Sequence, residues 1–211
     1  MPETFPSDEE IEALIDPEVL EEIGDPVPIP LAATVVYIPV LLLGLVLAIF
    51  WQDTFPGEHV HGTRLATDVG IGLLVGLGLV TVTWLLVRML GSLQELEVEF
   101  RKVLGPLPLS QILLLALLSG VAEELMFRGA MQPWLGWVAT SLIFGGLHFV
   151  PSTTFLPWTM FAIGAGFLFG WLFDERQSLI APMVAHVVVN AINLYLIVNG
   201  KRAPITPREL A

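Results

Sequence analysis

Two adjacent glutamates and an arginine lie at the end of an apolar run in this sequence. The stretch GVAEELMFRG, residues 120–129, contains Glu123, Glu124 and Arg128 and follows the run QILLLALLS. Charged side chains near a bilayer centre cost roughly 2.5–3.5 kcal/mol each on insertion scales, so they usually face the inside of a helix bundle and mark function. Glu124 and Arg128, four residues apart, could form an ion pair without a chemical role. A glutamate in a low dielectric can also act as a general base toward water, so this stretch is a candidate catalytic site.

Two histidines and an asparagine interrupt the apolar segments farther along the chain. His148 ends the stretch FGGLH, and His186 and Asn190 lie four residues apart in HVVVN, on one face of a helix. Beside a glutamate, a histidine can share the transferred proton or hold the water. A histidine and an asparagine amide can donate hydrogen bonds to the oxyanion of a tetrahedral intermediate. Each of these residues could instead be structural and bond to a neighbouring helix.

The same residue types allow a zinc site as an alternative. Catalytic zinc accepts histidine and carboxylate ligands and leaves a position for water, so Glu123, His148 and His186 are a permissible zinc set. The HExxH motif of soluble zinc proteases does not occur in the sequence. The chain has no cysteine, which excludes thiolate metal ligands and a cysteine nucleophile. Zinc is therefore the cofactor that these residues allow, and they do not require it.

The composition is that of a polytopic membrane protein. Of the 211 residues, 55% are apolar, and the mean hydropathy is +0.76. Apolar runs near the roughly 17–25 residues that a spanning helix needs begin around Leu31, Asp68, Leu107, Met131, Phe155 and Leu179. We therefore predict an all-α membrane bundle of about six transmembrane helices, with a catalytic core of four helices.

The charges are unevenly distributed. Residues 1–30 hold 10 of the 21 acidic residues and none of the 9 Lys and Arg. This segment lacks the positive start of a signal peptide, so we interpret it as an acidic cytoplasmic N-terminal segment. The Lys and Arg residues outside the candidate site fall mainly on one side of a six-helix topology, which predicts that both termini are cytoplasmic. We expect an integral protein of a prokaryotic inner or plasma membrane, with the lipid bilayer as a partner and no nucleic acid.

The chain divides into four predicted parts: the N-terminal segment, a scaffold of two helices and an interfacial helix over residues 31–104, a catalytic core over residues 105–200, and a C-terminal tail over residues 201–211. The two scaffold helices, at about 31–51 and 67–90, contain almost nothing ionisable. Close helix packing is predicted for the small residues of the second helix, namely Gly70, Gly72, Gly76 and Gly78.

The depth of the candidate residues depends on where the third helix ends. If that helix continues to a turn near Gly136, Glu123 lies 13 residues before the turn and His148 lies 12 after it. At 1.5 Å per residue both are about 18–20 Å from the turn, so their side chains could meet. The fourth helix, about 137–149, is then shorter than a span. Pro133 is expected to kink the end of the third helix.

The stretches EELMFR, FGGLH and HVVVN resemble, in order and spacing, the three motifs of the CAAX prenyl protease and bacteriocin-processing family, the Abi-type intramembrane proteases. The resemblance implies a glutamic-type membrane endopeptidase in which a glutamate activates water, a histidine assists it, and a second histidine and an asparagine hold the oxyanion. By position, these four are Glu123, His148, His186 and Asn190. The residues that the resemblance assigns to a supporting role are Glu124, Arg128 and Phe144.

The implied substrate is a membrane-associated or lipophilic peptide or protein, which would be processed or would lose a C-terminal sorting tail. The family name is not taken to mean a prenylated substrate. Two other classes of function use the same residues. A proton-coupled transporter also needs carboxylates and histidines in the membrane, although the first two helices offer no polar counterpart to the later ones. A catalytically silent immunity or binding membrane protein could retain the motifs.

Overall fold

The computed structural model describes residues 28–52 and 65–200. The predicted acidic N-terminal segment, apart from its last three residues, and the predicted C-terminal tail lie outside the described residues.

Helices account for nearly all of the described chain, and no strand occurs among the described residues. Five helices are long and apolar enough to cross a membrane, and these are α1, α2, α4, α6 and α7. The predicted all-α membrane bundle is confirmed, and the chain is an integral membrane protein. The fourth predicted helix is the short apolar α5. The bounds are α1 Ile29–Gln52, α2 Leu65–Met89, α3 Gly91–Leu104, α4 Leu109–Leu135, α5 Trp137–Gly146, α6 Leu156–Arg176 and α7 Ile180–Val198.

Close contacts between helices determine the arrangement of the bundle. α7 packs against α2 and α4, α6 packs against α5, and α1 packs against α4. Of the glycines predicted to allow close packing, Gly72 and Gly76 do so. A Cβ atom there would lie 2.6 and 2.9 Å from carbonyl oxygens of α7. The prediction was wrong for Gly70 and Gly78, where a Cβ would have no neighbour within 4 Å.

α4 changes its helical form just after the two glutamates. It is α-helical to Glu124, π-helical over Leu125–Met131 and α-helical again over Gln132–Leu135. The helix ends at Gly136, which has a φ of 81°, a conformation that glycine adopts without strain. The predicted continuation to this turn is confirmed. Pro133 lies two residues after the π-helical segment, in the short α-helical end of α4, and the helix continues past it to Leu135.

α5 is shorter than predicted, because it ends at Gly146 and not near residue 149. Gly145 and Gly146 are poor helix formers, and beyond them the hydrogen bonds tighten to a three-residue spacing. His148 therefore lies in the turn after α5 and not on the helix. Farther along, the rings of Phe155 and Trp158 pack edge-on against Phe100, which joins this region to α3.

Candidate active site

Glu123 faces two histidines. Its Oε2 atom lies 3.9 Å from Nε2 of His148 and 3.9 Å from Nε2 of His186. The predicted proximity of Glu123 and His148 is thus confirmed. The two residues lie at a similar depth because the segments that connect each of them to Gly136 are nearly equal in length. The carboxylate is buried, with 8% of the residue exposed, and Oε2 has no hydrogen-bond partner among the described residues.

His148 is held in one orientation. Its Nδ1 atom donates to the carbonyl oxygen of Phe144 at 2.7 Å, since a carbonyl can only accept. The imidazole lies between the ring of Phe144, 4.7 Å away between centroids, and that of Trp158, 5.3 Å away. These contacts direct Nε2 toward Glu123. Because Nδ1 carries the proton that is donated to Phe144, Nε2 of the neutral ring has a lone pair that faces Glu123.

Glu124 lies behind His186. Its Oε1 atom accepts hydrogen bonds from Nδ1 of His186 at 2.8 Å and from Nη1 of Arg128 at 3.0 Å, and the Glu124 side chain is completely buried. Arg128 also donates to the carbonyl oxygen of Gly166 at 3.0 Å and lies 4.5 Å over the ring of Phe144. The ion pair with Arg128 exists, but the same carboxylate oxygen also orients His186. A carboxylate that accepts from Nδ1 fixes the orientation of the ring.

Asn190 is held by a serine that sequence reasoning missed. Its Nδ2 atom donates to Oγ of Ser119 at 2.9 Å. The Ser119 hydroxyl in turn lies 2.8 Å from the carbonyl oxygen of Leu115. Ser119 precedes Glu123 by four residues, which places both on one face of α4, and that spacing could have identified it.

A second missed residue comes from α1. Tyr37 lines the same cavity as Glu123 and Ser119. No sequence signal marked it beyond a single tyrosine in an apolar span. The first helix therefore contributes to the site, although residues 31–104 were assigned a scaffold role.

The cluster opens into a cavity of about 700 Å³. Most of its wall consists of apolar side chains from α2, α3, α6 and α7. The polar residues predicted as catalytic all line it, namely Glu123, His148, His186 and Asn190. Glu124 and Arg128 are not part of the wall. The seven predicted site residues therefore form one cluster. The four residues predicted as catalytic face the cavity, and Glu124 and Arg128 lie behind them. Phe144 lines the cavity and also contacts His148 and Arg128.

The predicted zinc set does not fit a zinc ion as it stands. Two ligands on one tetrahedral zinc, each at about 2.0–2.1 Å, lie about 3.3 Å apart, whereas Oε2 of Glu123 is 3.9 Å from each Nε2 of His148 and His186. Within residues 28–52 and 65–200, no group of three or more His, Cys, Asp or Glu side chains is arranged to hold a metal ion.

Comparisons with known proteins extend the resemblance that the motifs indicated. Residues 105–192 match a family described as "Type II CAAX prenyl endopeptidase Rce1-like". A Bacillus subtilis (strain 168) protein named "Uncharacterized protein YpbD" is 34% identical over 92 residues, which cover 44% of this chain and 48% of that protein. The match thus spans about half the length of this relative. No solved structure matches significantly.

Proposed function

We propose that this chain is a glutamic-type intramembrane endopeptidase of the CAAX prenyl protease and bacteriocin-processing family, whose Rce1-like model residues 105–192 match. At the family level the match supports a CAAX-type intramembrane protease. The observation that carries the finer proposal is the position of Glu123, whose Oε2 faces two imidazole Nε2 atoms in the wall of a largely apolar cavity.

Water activation is the first step of the proposed reaction. A separation of 3.9 Å is too long for a direct hydrogen bond, and a water molecule can bridge Oε2 of Glu123 and Nε2 of His148. Glu123 takes one proton from this water, and His148 accepts a hydrogen bond from the other. The hydroxide oxygen then forms a bond to the carbonyl carbon of the scissile peptide.

The oxyanion that develops needs donors on the same side of the cavity. His186 supplies an N–H at Nε2 when both of its nitrogens carry protons, and Glu124, which accepts from Nδ1, fixes the orientation of the ring. Asn190 has two amide protons, of which Ser119 accepts one, so the other remains for the oxyanion. Preorganised donors of this kind lower the barrier without having to reorganise during the reaction.

Collapse of the tetrahedral intermediate breaks the carbon–nitrogen bond. Glu123 returns the proton that it took from water to the departing amine, so the carboxylate is regenerated and the products are an acid and an amine. No step in this scheme uses a metal. The distances around Glu123 favour this scheme over the zinc alternative.

The cavity walls favour a lipophilic substrate. The amphipathic α3 turns Leu93, Leu96 and Phe100 toward the cavity, and these residues form one side of it. A membrane-associated peptide or protein can therefore bury apolar groups next to the scissile bond. We propose such a chain as the substrate, either for processing or for removal of a C-terminal tail.

The test is cleavage of a library of membrane-tethered peptides by the purified protein in lipid vesicles. Glu123→Gln should reduce kcat by at least about 100-fold, because it removes the base. Glu99→Gln is the matched control, since Glu99 is on α3, where it forms an ion pair with Lys102.

Cleavage should also survive a chelator, and loss of activity in the chelated samples alone would point to the zinc alternative. Undiminished turnover by Glu123→Gln would refute the assigned base. If the protein binds peptides but cleaves none, the silent binding protein would be favoured.

A further inference from the structure

His148 lies in a part of the chain that leaves the helix deep within the membrane region. It faces Glu123, which lies near the middle of the span Leu109–Leu135. Between α5 and α6, residues 147–155 form no α-helix. Backbone of this kind is stable at such a depth only where the protein or a water-filled cavity supplies hydrogen-bond partners. Among the described residues, no backbone N–H donates to the carbonyl oxygen of His148, so a side chain has to serve it.

Thr159, near the start of α6, is the side chain that serves this oxygen. Its Oγ1 atom donates to the carbonyl oxygen of His148 at 3.1 Å, and the threonine is buried. The residue before it, Trp158, packs its ring against the imidazole. The side chain of His148 is thus bonded to α5 through Phe144, and its backbone is bonded to α6 through Thr159.

α6 is itself bonded to the helix that carries the proposed base. Arg128 of α4 donates to the carbonyl oxygen of Gly166, and a second bond of the same kind, one turn later, keeps the two helices in step. Thr159 precedes Gly166 by seven residues on α6, and Glu123 precedes Arg128 by five residues on α4. Because the two helices run parallel, Thr159 and Glu123 lie on the same side of the bond that joins them. α6 therefore connects the backbone of His148 to the helix of Glu123.

We propose that Thr159 is a positioning residue that holds His148 opposite Glu123, an inference that rests on the proposed function. Oε2 of Glu123 and Nε2 of His148 are 3.9 Å apart, a separation that one water molecule can bridge. The bond from Nδ1 to Phe144 determines where the imidazole points. The bond from Thr159 fixes the peptide group from which that side chain extends, and without it the turn can relax and carry Nε2 away from the bridging water. Thr159 is not among the described residues that line the cavity, so it acts through His148.

Thr159→Val removes the hydroxyl and keeps the shape of the side chain. We expect kcat to fall about 10-fold with KM unchanged, which is less than the roughly 100-fold that a misplacement of about 1 Å can cost. Thr159→Ala, which also lacks the hydroxyl and needs less room, should show the same loss. Thr81→Val is the matched control, because the exposed hydroxyl of Thr81 donates to Leu77 within α2.

Thr159→Ser separates the hydrogen bond from the packing of the threonine. Serine keeps the hydroxyl and loses the methyl group, so it should restore most of kcat. If the threonine only fills space, Thr159→Val should be nearly as active as the wild-type protein and Thr159→Ser should be the weaker variant. That order of activities, an unchanged kcat in both variants that lack the hydroxyl, or a rise in KM alone would overturn the inference.

A second measurement does not depend on cleavage. The chain contains four histidines, so protein labelled with 13C at the histidine carbonyl carbon gives four NMR resonances, and His148→Gln identifies that of His148. This resonance should shift in Thr159→Val and return in Thr159→Ser, and it should not move in Thr81→Val. A resonance that does not respond to Thr159→Val overturns the inference, even if Glu123→Gln abolishes cleavage. If the resonance responds and the protein cleaves no peptide, the proposed function falls and the positioning role of Thr159 falls with it.

Discussion

The two adjacent glutamates should respond in opposite ways to the same substitution. Glu123→Gln removes the proposed base from a cavity wall, whereas Glu124→Gln removes the negative charge from a buried cluster with Arg128 and His186. We expect the first variant to fold normally without cleaving peptides. The second should lose a large part of its stability.

The size of this loss follows from the burial of the pair. The side chains of Arg128 and Glu124 are 1% and 0% exposed, and their atoms Nη1 and Oε1 are 3.0 Å apart. Breaking a buried pair by removing one charge costs about 3–5 kcal/mol, because the other charge remains uncompensated. Arg128 keeps its hydrogen bond to Gly166 and its stacking on Phe144. We therefore expect the lower end of that range, about 3 kcal/mol.

The double variant Glu124→Gln with Arg128→Met separates charge from packing. It removes both charges and fills the site with an apolar side chain of similar length. Buried pairs replaced by apolar groups are often neutral or more stable, so most of the lost stability should return. Activity should not return, because His186 then lacks the carboxylate on Nδ1.

SDS-induced unfolding in mixed micelles, followed by the fluorescence of the six tryptophans, would measure these differences. The wild-type protein and Glu123→Gln should have free energies of unfolding within about 1 kcal/mol of each other, since Glu123 has no cationic partner at hydrogen-bonding distance. The reasoning is refuted if Glu124→Gln is as stable as Glu123→Gln, or if the double variant is less stable than Glu124→Gln.

Two further predictions concern the oxyanion site and helix packing. Asn190→Ala should reduce kcat by roughly 100–1000-fold, the range for one lost oxyanion donor, as measured by peptide cleavage; a loss below 10-fold would remove Asn190 from that role. Gly145→Ala should cost about 1–3 kcal/mol in the free energy of unfolding, because its Cβ would lie 2.8 Å from the backbone of α6 at Ile163. Gly146→Ala, whose Cβ would meet nothing within 4 Å, should cost nothing measurable in the same unfolding assay; equal losses in both would contradict the packing argument.

Much of the fold was predictable from hydropathy and a few special residues. Long apolar runs predicted the spanning helices, since only a closed hydrogen-bonded backbone is stable in lipid. The turn at Gly136 could be inferred by counting, because nearly equal numbers of residues on either side of it bring Glu123 and His148 to one depth. The end of α5 was missed, since the run continues to be apolar after Gly145 and Gly146, and hydropathy does not register that glycine weakens a helix.

The part of the site that comes from elsewhere in the chain was not predictable. Hydropathy shows that α1 is apolar, but it does not show which face touches another helix and which touches lipid. The place of Tyr37 in the cavity wall depends on the close contact of Gly44 with α4, and that contact is visible only in three dimensions. Ser119 is different, because its place one turn before Glu123 is a local feature of the sequence.

The register between α4 and α6 explains why α4 contains several polar residues that do not face the cavity. Arg128 donates to the carbonyl oxygen of Gly166, and one turn later Gln132 donates to that of Gly170. Both pairs are separated by 38 residues in sequence, so the two helices run parallel and in step. Lipid provides no hydrophobic drive for helices to associate, so side-chain hydrogen bonds to backbone carbonyls must help to fix their register. Arg128 also donates a hydrogen bond to Glu124. The register that joins α4 to α6 therefore also determines where the proposed site lies.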